Sequence, residues 1–354
     1  IRIGGPISIL QETIMEFGVF YQLPCGVEQT PAGRIQDTIS QCQLADELGF
    51  DTAWLAELHF NPRFSVLSAP LMIASAVAQV TRQIRIGNAI NLLPLHQPIR
   101  LAEEVATLDV LSHGRAIFGV GRGSMPTHFA GYGIDQEEGR NRFIEGLELI
   151  LGSWKQDDFA YEGKFYHSYG YSITPKPIQQ PYPPVYVAAN SADTFGIVGE
   201  LGHNILVAPT IVTTQGALAG LASYRAELAE NGHDESKLKV NVNVPMHVAA
   251  TEKEARDGFT KTINNYLETL RDIGRDRGAS RGSSRADSLD AEAVIEEFAA
   301  VGTPNQVCAK LDKFKEMYGP QEFMCWFNIG GMLPHAEVQS SMRLFAKEVM
   351  PRFQ

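Results

Sequence analysis

The chain has 354 residues, 44% of them hydrophobic and 20% charged, which is the composition of an ordinary globular protein with a core too large to need disulfide staples. Its formal net charge of −11 offers no basic face to a nucleic acid. It shows no apolar run of transmembrane length and no H-E-x-x-H pair, so neither a membrane nor a metal partner is expected. Cys25, Cys42, Cys308 and Cys325 lack C-x-x-C spacing, and free thiols in a reducing cytoplasm are the expected state. Residues 1–14 lack a signal-peptide pattern and read as a leader or remnant ahead of one domain over 15–354.

Periodicity predicts alternating strands and helices along almost the whole chain. A strand over Glu16–Tyr21 precedes a helix over Gly33–Leu48, whose apolar positions are Ile35, Ile39, Cys42 and Ala45. Strand Thr52–Ala56 leads to a helix over Ala69–Val80, and strand Ile84–Ile90 to a helix over Ile99–Leu111. Strand Ala116–Val120 opens onto Gly119-Val-Gly-Arg-Gly123. There the glycines let the backbone approach a ligand, and Arg122 offers a planar fork of donors to a phosphate. Ser124 stands where a dinucleotide fingerprint needs its third glycine, so that motif is excluded. A helix over Arg140–Trp154 follows, then a stretch rich in Tyr and Pro, Gln156–Pro184, expected to be a hairpin insertion.

Strands Val185–Ala189, Ile205–Ala208 and Lys239–Ala249 alternate with helices over Thr194–Leu201, Gly216–Asn231 and Glu252–Ile273. The segment Arg271–Asp290 breaks the pattern with five arginines among Gly and Ser, and reads as a solvated basic loop or a mobile lid. Strand Glu322–Ile329 and a helix over His335–Met350 come last. Eight strand–helix steps predict an α/β fold: a (β/α)8 TIM barrel with an insertion after strand 4 and a mobile loop before strand 8.

In such a barrel the chemistry gathers at the C-terminal strand ends. That filter selects Cys25, Glu57, His59, the run Asn88–Pro94, Arg122, the group Asn190, Ser191 and Thr194, and Asn328 with Gly330. The set is rich in cationic, hydroxyl and amide donors, with no paired carboxylates and no Ser-His-Asp order. A phosphate-bearing cofactor that carries the chemistry itself suits it. His59 is the best titratable candidate, although a hydrogen-bonded structural histidine fits the same position. The Asn190–Thr194 run starts a helix, either as an ordinary N-cap or as a phosphate seat. Arg140 and Arg142 oppose the macrodipole at a helix start, which favours a specific purpose. Tyr21, Leu58, Leu93, Phe129, Trp326 and Phe327 suggest an apolar substrate pocket, or simply core.

The segments Gly49–Phe60, Leu108–Arg115, Gly119–Gly123, Pro184–Thr194, Val301–Pro304 and Ser341–Pro351 carry a family likeness in their order and spacing. In them the chain resembles the bacterial luciferase alpha subunit and its flavin-dependent monooxygenase relatives. The resemblance implies a (β/α)8 barrel, here a homodimer, that binds reduced FMN made by a separate flavin reductase. With O2 it would oxygenate a small apolar substrate such as an aldehyde, ketone, terpenoid or long-chain compound. By position, Arg122 resembles the family's phosphate-pairing arginine and Arg140 its second one. Asn190, Ser191 and Thr194 match a run on the phosphate and ribityl chain. Ala89-Ile90 matches a non-prolyl cis peptide beneath the flavin ring, and Asn88 and Ala188 complete the expected cofactor contacts.

The Arg-rich segment falls where luciferases have a mobile active-site loop, which turns its reading towards a lid. Luciferases also carry two adjacent histidines after strand 2, the first of them catalytic. Here Leu58 replaces the first, so the catalytic role is expected of His59, and Gly121 replaces the reactive cysteine of the Gly-Arg-Gly loop. These departures set aside light emission from an aldehyde but leave flavin oxygen chemistry in place. Two alternatives share the fold: an F420-dependent oxidoreductase, and a non-catalytic flavin-binding partner subunit, against which the retained Arg122 and Arg140 speak.

Overall fold

The structure is a computed structural model and describes residues 14–276 and 285–354. Strand β1 (Glu16–Tyr21) pairs in parallel with β2 (Thr52–Leu55), and β2 with β3 (Arg85–Asn88). Then come β4 (Ala116–Gly121), β5 (Val185–Ala188), β6 (Asn204–Val207) and β7 (Val240–Val248), and β8 (Glu322–Trp326) lies between β7 and β1. Pairing of β6 with β7 closes the ring into the predicted TIM barrel. Around it lie α1 (Pro31–Leu48), α2 (Pro70–Val80), α3 (Pro98–Leu111), α4 (Gly139–Lys155), α5 (Ala192–Leu201) and α6 (Thr214–Glu230). Helices α7 (Glu252–Asp276), α8 (Pro304–Tyr318) and α9 (His335–Glu348) complete the outer layer.

Strand side chains alternate between two cores, as the pleat requires. Phe17 and Val19 of β1 face outward and pack in the main core with α1, α2 and α3 residues such as Cys42, Val77 and Leu101. The inner core consists of Trp54, Ile117, Tyr186, Leu206 and Met324, with the Trp54 indole spread over Gly18 and Gly87. At the N-terminal end, Lys239 Nζ pairs with Glu16 at 2.6 Å. Just above, the fully buried Glu322 accepts from Trp54 Nε1 at 2.8 Å, while its Oε2 and the Asn241 amide make no hydrogen bond of normal geometry. Burial pushes the Glu322 carboxyl up to about 7.

The insertion after strand 4 is an antiparallel hairpin, Ala160–Glu162 with His167–Tyr169, as expected. Two predicted strands are shorter by three residues, the others by two at most. The third stops at Asn88 and resumes as Asn91–Leu92, and the eighth stops at Trp326, after which the chain turns. The flanks of the Arg-rich segment are helical rather than looped: Arg271–Asp276 extends α7, and Arg285–Ser288 is a short helix. Arg271 ties them together, with Nε donating to the Ala286 carbonyl at 3.0 Å and Nη2 to that of Leu289 at 2.8 Å. The proposed lid centre, 277–284, and the leader, 1–13, lie outside the described residues. No helix among the described residues is long and apolar enough to cross a membrane.

Candidate active site

Strand β4 delivers the chain to the barrel mouth at Gly121, and Arg122 follows with an exposed side chain. Its stem lies against the start of α4, where a Cβ on Gly139 would sit 3.5 Å from Arg122 Cγ. The next residue, Arg140, reaches towards α5, its Nη1 3.9 Å from the Asp193 carboxylate. The N-cap of α5, Ser191, does not bond the helix backbone through its side chain; its hydroxyl pairs with Thr194 Oγ1 at 2.8 Å. Asn190 stands exposed just before it. The stem of Arg122 and the base of Arg140 thus adjoin the start of α4, and Arg140 reaches the start of α5, donors of a kind suited to a phosphate. Arg142 points elsewhere, pairing with Glu138 at 2.8 Å and stacking on Phe165 of the hairpin.

Beside this edge the Ala89–Ile90 peptide is cis, as the resemblance implies. Ala89, Ile90 and Ala188 are partly exposed above the inner core, forming a small-residue shelf at the mouth. The shelf depends on two close approaches. A Cβ on Gly119 would collide with the Asn88 carbonyl oxygen, and one on Gly121 with the tip of Ile90. Asn88 itself is buried. Its Nδ2 donates to Asn91 Oδ1 at 2.8 Å, and Asn91 Nδ2 donates to the Gly119 carbonyl at 2.8 Å, bracing β3 against β4, while the buried Asn88 Oδ1 has no hydrogen-bond partner. Gly121→Ala is expected to cost about 1–3 kcal/mol by overpacking against Ile90. Urea denaturation measures this, and an unchanged midpoint would show that Ile90 simply swings aside.

The second group of side chains surrounds Glu57, just beyond β2. Its carboxylate is 3% exposed and accepts from His59 Nε2 at 2.9 Å, His96 Nε2 at 2.9 Å and the Leu92 N–H at 2.8 Å. Burial opposes ionisation, but these donors outweigh it and hold the carboxyl down to about 2. Burial likewise opposes the His96 cation, yet Glu57 raises that ring's pKa. His59 is 6% exposed, and its backbone N–H donates to His128 Nε2 at 3.2 Å. On the other side of the ring, the Tyr132 hydroxyl lies 3.4 Å from His59 Nδ1. His59 is thus held inside a buried network and reaches the mouth only through other groups.

The apolar lining differs from the expected one. Leu58 lies at the mouth, packed with Phe20 and Met125 against a second apolar cluster that contains Trp326, Tyr266 and Phe64. Phe20 meets Trp326 edge-on at 5.0 Å, and Trp326 meets Tyr266 at 5.2 Å. Tyr21, Leu93 and Phe327 face outward instead: Tyr21 and Leu93 join the main core, and Phe327 packs on Phe50 and Phe345. Phe129 is buried against Gly139. Cys25 is buried as well, and Asn328 ties the turn after β8 through the Leu333 N–H at 3.1 Å, with Gly330 in the left-handed region.

The model of the luciferase-like monooxygenases matches residues 15–321. The chain belongs to that family. This luciferase-like monooxygenase is 34% identical to the uncharacterized protein y4wF of Sinorhizobium fredii, over 96% of this chain and 97% of that one. To y4vJ of the same bacterium it is 36% identical over 54% of this chain, a match that spans about half (55%) of that protein. It is 24% identical to the oxygenase component of the flavin-dependent trigonelline monooxygenase of Acinetobacter baylyi, over 96% of each. Among solved structures, monooxygenase RslO1 from Streptomyces bottropensis superposes with a TM-score of 0.85 at 26% identity, covering 96% of this chain and 100% of that one. The fold alone is shared with the F420-dependent tetrahydromethanopterin reductase of Methanopyrus kandleri (TM-score 0.75, 19% identity, 96% and 100% covered).

Where the resemblance sets the luciferases' first histidine, this chain turns Leu58 to the apolar mouth, and His59 turns to Glu57. The sequence reading missed His96, His128 and Tyr132. His96 lies two residues past the selected run, and the other two follow the Gly-Arg-Gly loop, where nothing local marks them.

Proposed function

We propose that this luciferase-like monooxygenase is the oxygenase component of a two-component system. It takes reduced FMN from a separate flavin reductase and, as a homodimer, uses O2 to oxygenate a small apolar organic substrate. One observation carries the reading: Arg122 follows Gly121, which lies against Ile90 and Ala188, its stem adjoins Gly139, and the neighbouring Arg140 reaches the start of α5. The residues fit the cofactor. Arg122 and Arg140, with Ser191 and Thr194, would hold the phosphate, Asn190 the ribityl chain, and the flat shelf of Ala89, Ile90 and Ala188 the ring. Bound reduced flavin supplies the electrons that activate O2. The chain's own part is to fix that ring, to offer Leu58, Phe20 and Trp326 to an apolar substrate, and to keep water from it.

With a flavin reductase and FMN present, the purified protein is expected to consume O2 and oxygenate members of an apolar substrate panel. An F420 enzyme, whose cofactor transfers hydride and does not activate O2, would take up no O2 with either cofactor, so the spectrum of the cofactor retained on purification separates the two readings, and retained F420 would assign the chain to the F420 enzymes. Arg122→Ala should weaken reduced-FMN binding by about 1.5–3 kcal/mol, the scale of a charge-assisted hydrogen bond. A change below twofold would put the phosphate elsewhere.

A further inference from the structure

We infer that Tyr132, His59 and Glu57 form an acid–base relay whose hydroxyl end opens at the rim of the barrel mouth, an inference that rests on the proposed monooxygenase reading. An ionised carboxylate can only accept hydrogen bonds. Glu57 therefore fixes both of its histidines as donors through Nε2, at 2.9 Å each. With its proton on Nε2, a neutral His59 keeps a lone pair on Nδ1, and the group facing that lone pair is the Tyr132 hydroxyl at 3.4 Å. The phenol donates, and the imidazole accepts.

The ring has little freedom to turn away. Its backbone N–H is anchored on His128 Nε2, and it lies edge-on to both His128 (5.3 Å between centroids) and Tyr132 (5.0 Å). His59 is buried while Tyr132 is 47% exposed, so the chain of hydrogen bonds runs from a dry carboxylate to an open hydroxyl. Tyr132 caps the short helix Pro126–Gly131, which continues the loop of Arg122, and Met125 at its start packs in the apolar cluster with Leu58. The helix that ends at Tyr132 thus follows directly on the loop of Arg122, the proposed phosphate contact.

The arrangement follows the logic of a hydroxyl, a base and a carboxylate that orients the base, with a phenol as the hydroxyl. When the Tyr132 oxygen takes a proton from a reacting group, its own O–H bond breaks and an N–H bond forms at His59 Nδ1. Tyr132 is again a phenol, the resulting imidazolium is held by Glu57, which stays ionised, and the reverse transfer restores the neutral imidazole. Leu58 removes the imidazole from the mouth, and the relay brings a proton-transfer group back from the neighbouring loop. Glu57 and His96 are positioning residues in this scheme.

Tyr132→Phe keeps the ring and removes the hydroxyl. In the oxygen-uptake assay with reductase and FMN, its turnover is expected to fall about 10-fold or more, with reduced-FMN affinity within about twofold of wild type and an unchanged thermal midpoint. In nitrogen spectra of histidine-labelled protein without flavin, His59 is expected as the Nε2–H tautomer, with an Nδ1 resonance that shifts in Tyr132→Phe. Unchanged turnover in the folded variant, or a His59 carrying its proton on Nδ1, would overturn the relay. A wild type that consumed no O2 would instead overturn the monooxygenase reading, and the relay would then stand or fall on the tautomer.

Discussion

Glu57→Ala is expected to destabilise the protein by about 3–5 kcal/mol, the scale of breaking a buried charged network by removing one partner. The carboxylate is 3% exposed, and its loss strands three donors at once: His59 Nε2, His96 Nε2 and the Leu92 N–H. The damage is expected to reach the mouth because Leu92 lies two residues past the Ala89–Ile90 bond, so the shelf proposed for the flavin ring loses an anchor. The same network predicts a direction with acid. The folded carboxyl titrates near 2 against an ordinary 4.5, so its contribution is complete above about pH 4.5 and is lost as pH falls through 2. Urea denaturation of wild type and variant at pH 7 measures the difference, and a loss under about 1 kcal/mol would mean that the three donors find other partners.

Glu322→Gln is expected to stabilise the protein at high pH and to do little at low pH. The folded carboxyl titrates near 7 and the unfolded one near 4.5, so the folded state binds the extra proton. A raised carboxyl contributes stability that is fully present below about pH 4.5 and lost as pH rises through 7. The total is about 3 kcal/mol at 1.36 kcal/mol per unit. Glutamine is neutral throughout and keeps an acceptor for Trp54 Nε1. The stability difference between variant and wild type should therefore grow between pH 5 and pH 8.5. A difference that stayed flat across that range would show that Glu322 does not titrate there.

Much of the barrel was legible because parallel strands bounded by helices leave a strong rhythm. The first strand, Glu16–Tyr21, runs over the residues its apolar pattern gives. Facing was harder to read. Strands buried on both sides are apolar on both faces, so Val19-Phe20-Tyr21 does not reveal that Phe20 points in and Tyr21 out. Helix α8 carries Val307, Leu311 and Phe314 at helical spacing, a visible signal that stands outside the eight-step repeat.

At the candidate site, the placement of Arg122 and Ser191 at the barrel mouth was legible because both follow strand ends. That Arg140 approaches α5 became visible only in the fold, where α4 lies beside it. The Glu57 network was the least legible. Its members lie at 57, 59, 92, 96, 128 and 132, and only closure of the barrel brings them together. Asn88 shows the converse: a polar residue at a strand end that is buried and donates its Nδ2 to Asn91, a placement its sequence position does not reveal.

The central claim is that Arg122, Arg140 and the start of α5 hold the phosphate of a reduced flavin. Anaerobic titration of the protein with reduced FMN and with reduced riboflavin, which lacks the phosphate, tests it most directly. FMN is expected to bind at least about 10-fold tighter, as one charge-assisted contact requires, and Arg122→Ala should erase most of that margin. Equal affinity for the two flavins, or a margin that survives Arg122→Ala intact, would contradict the account.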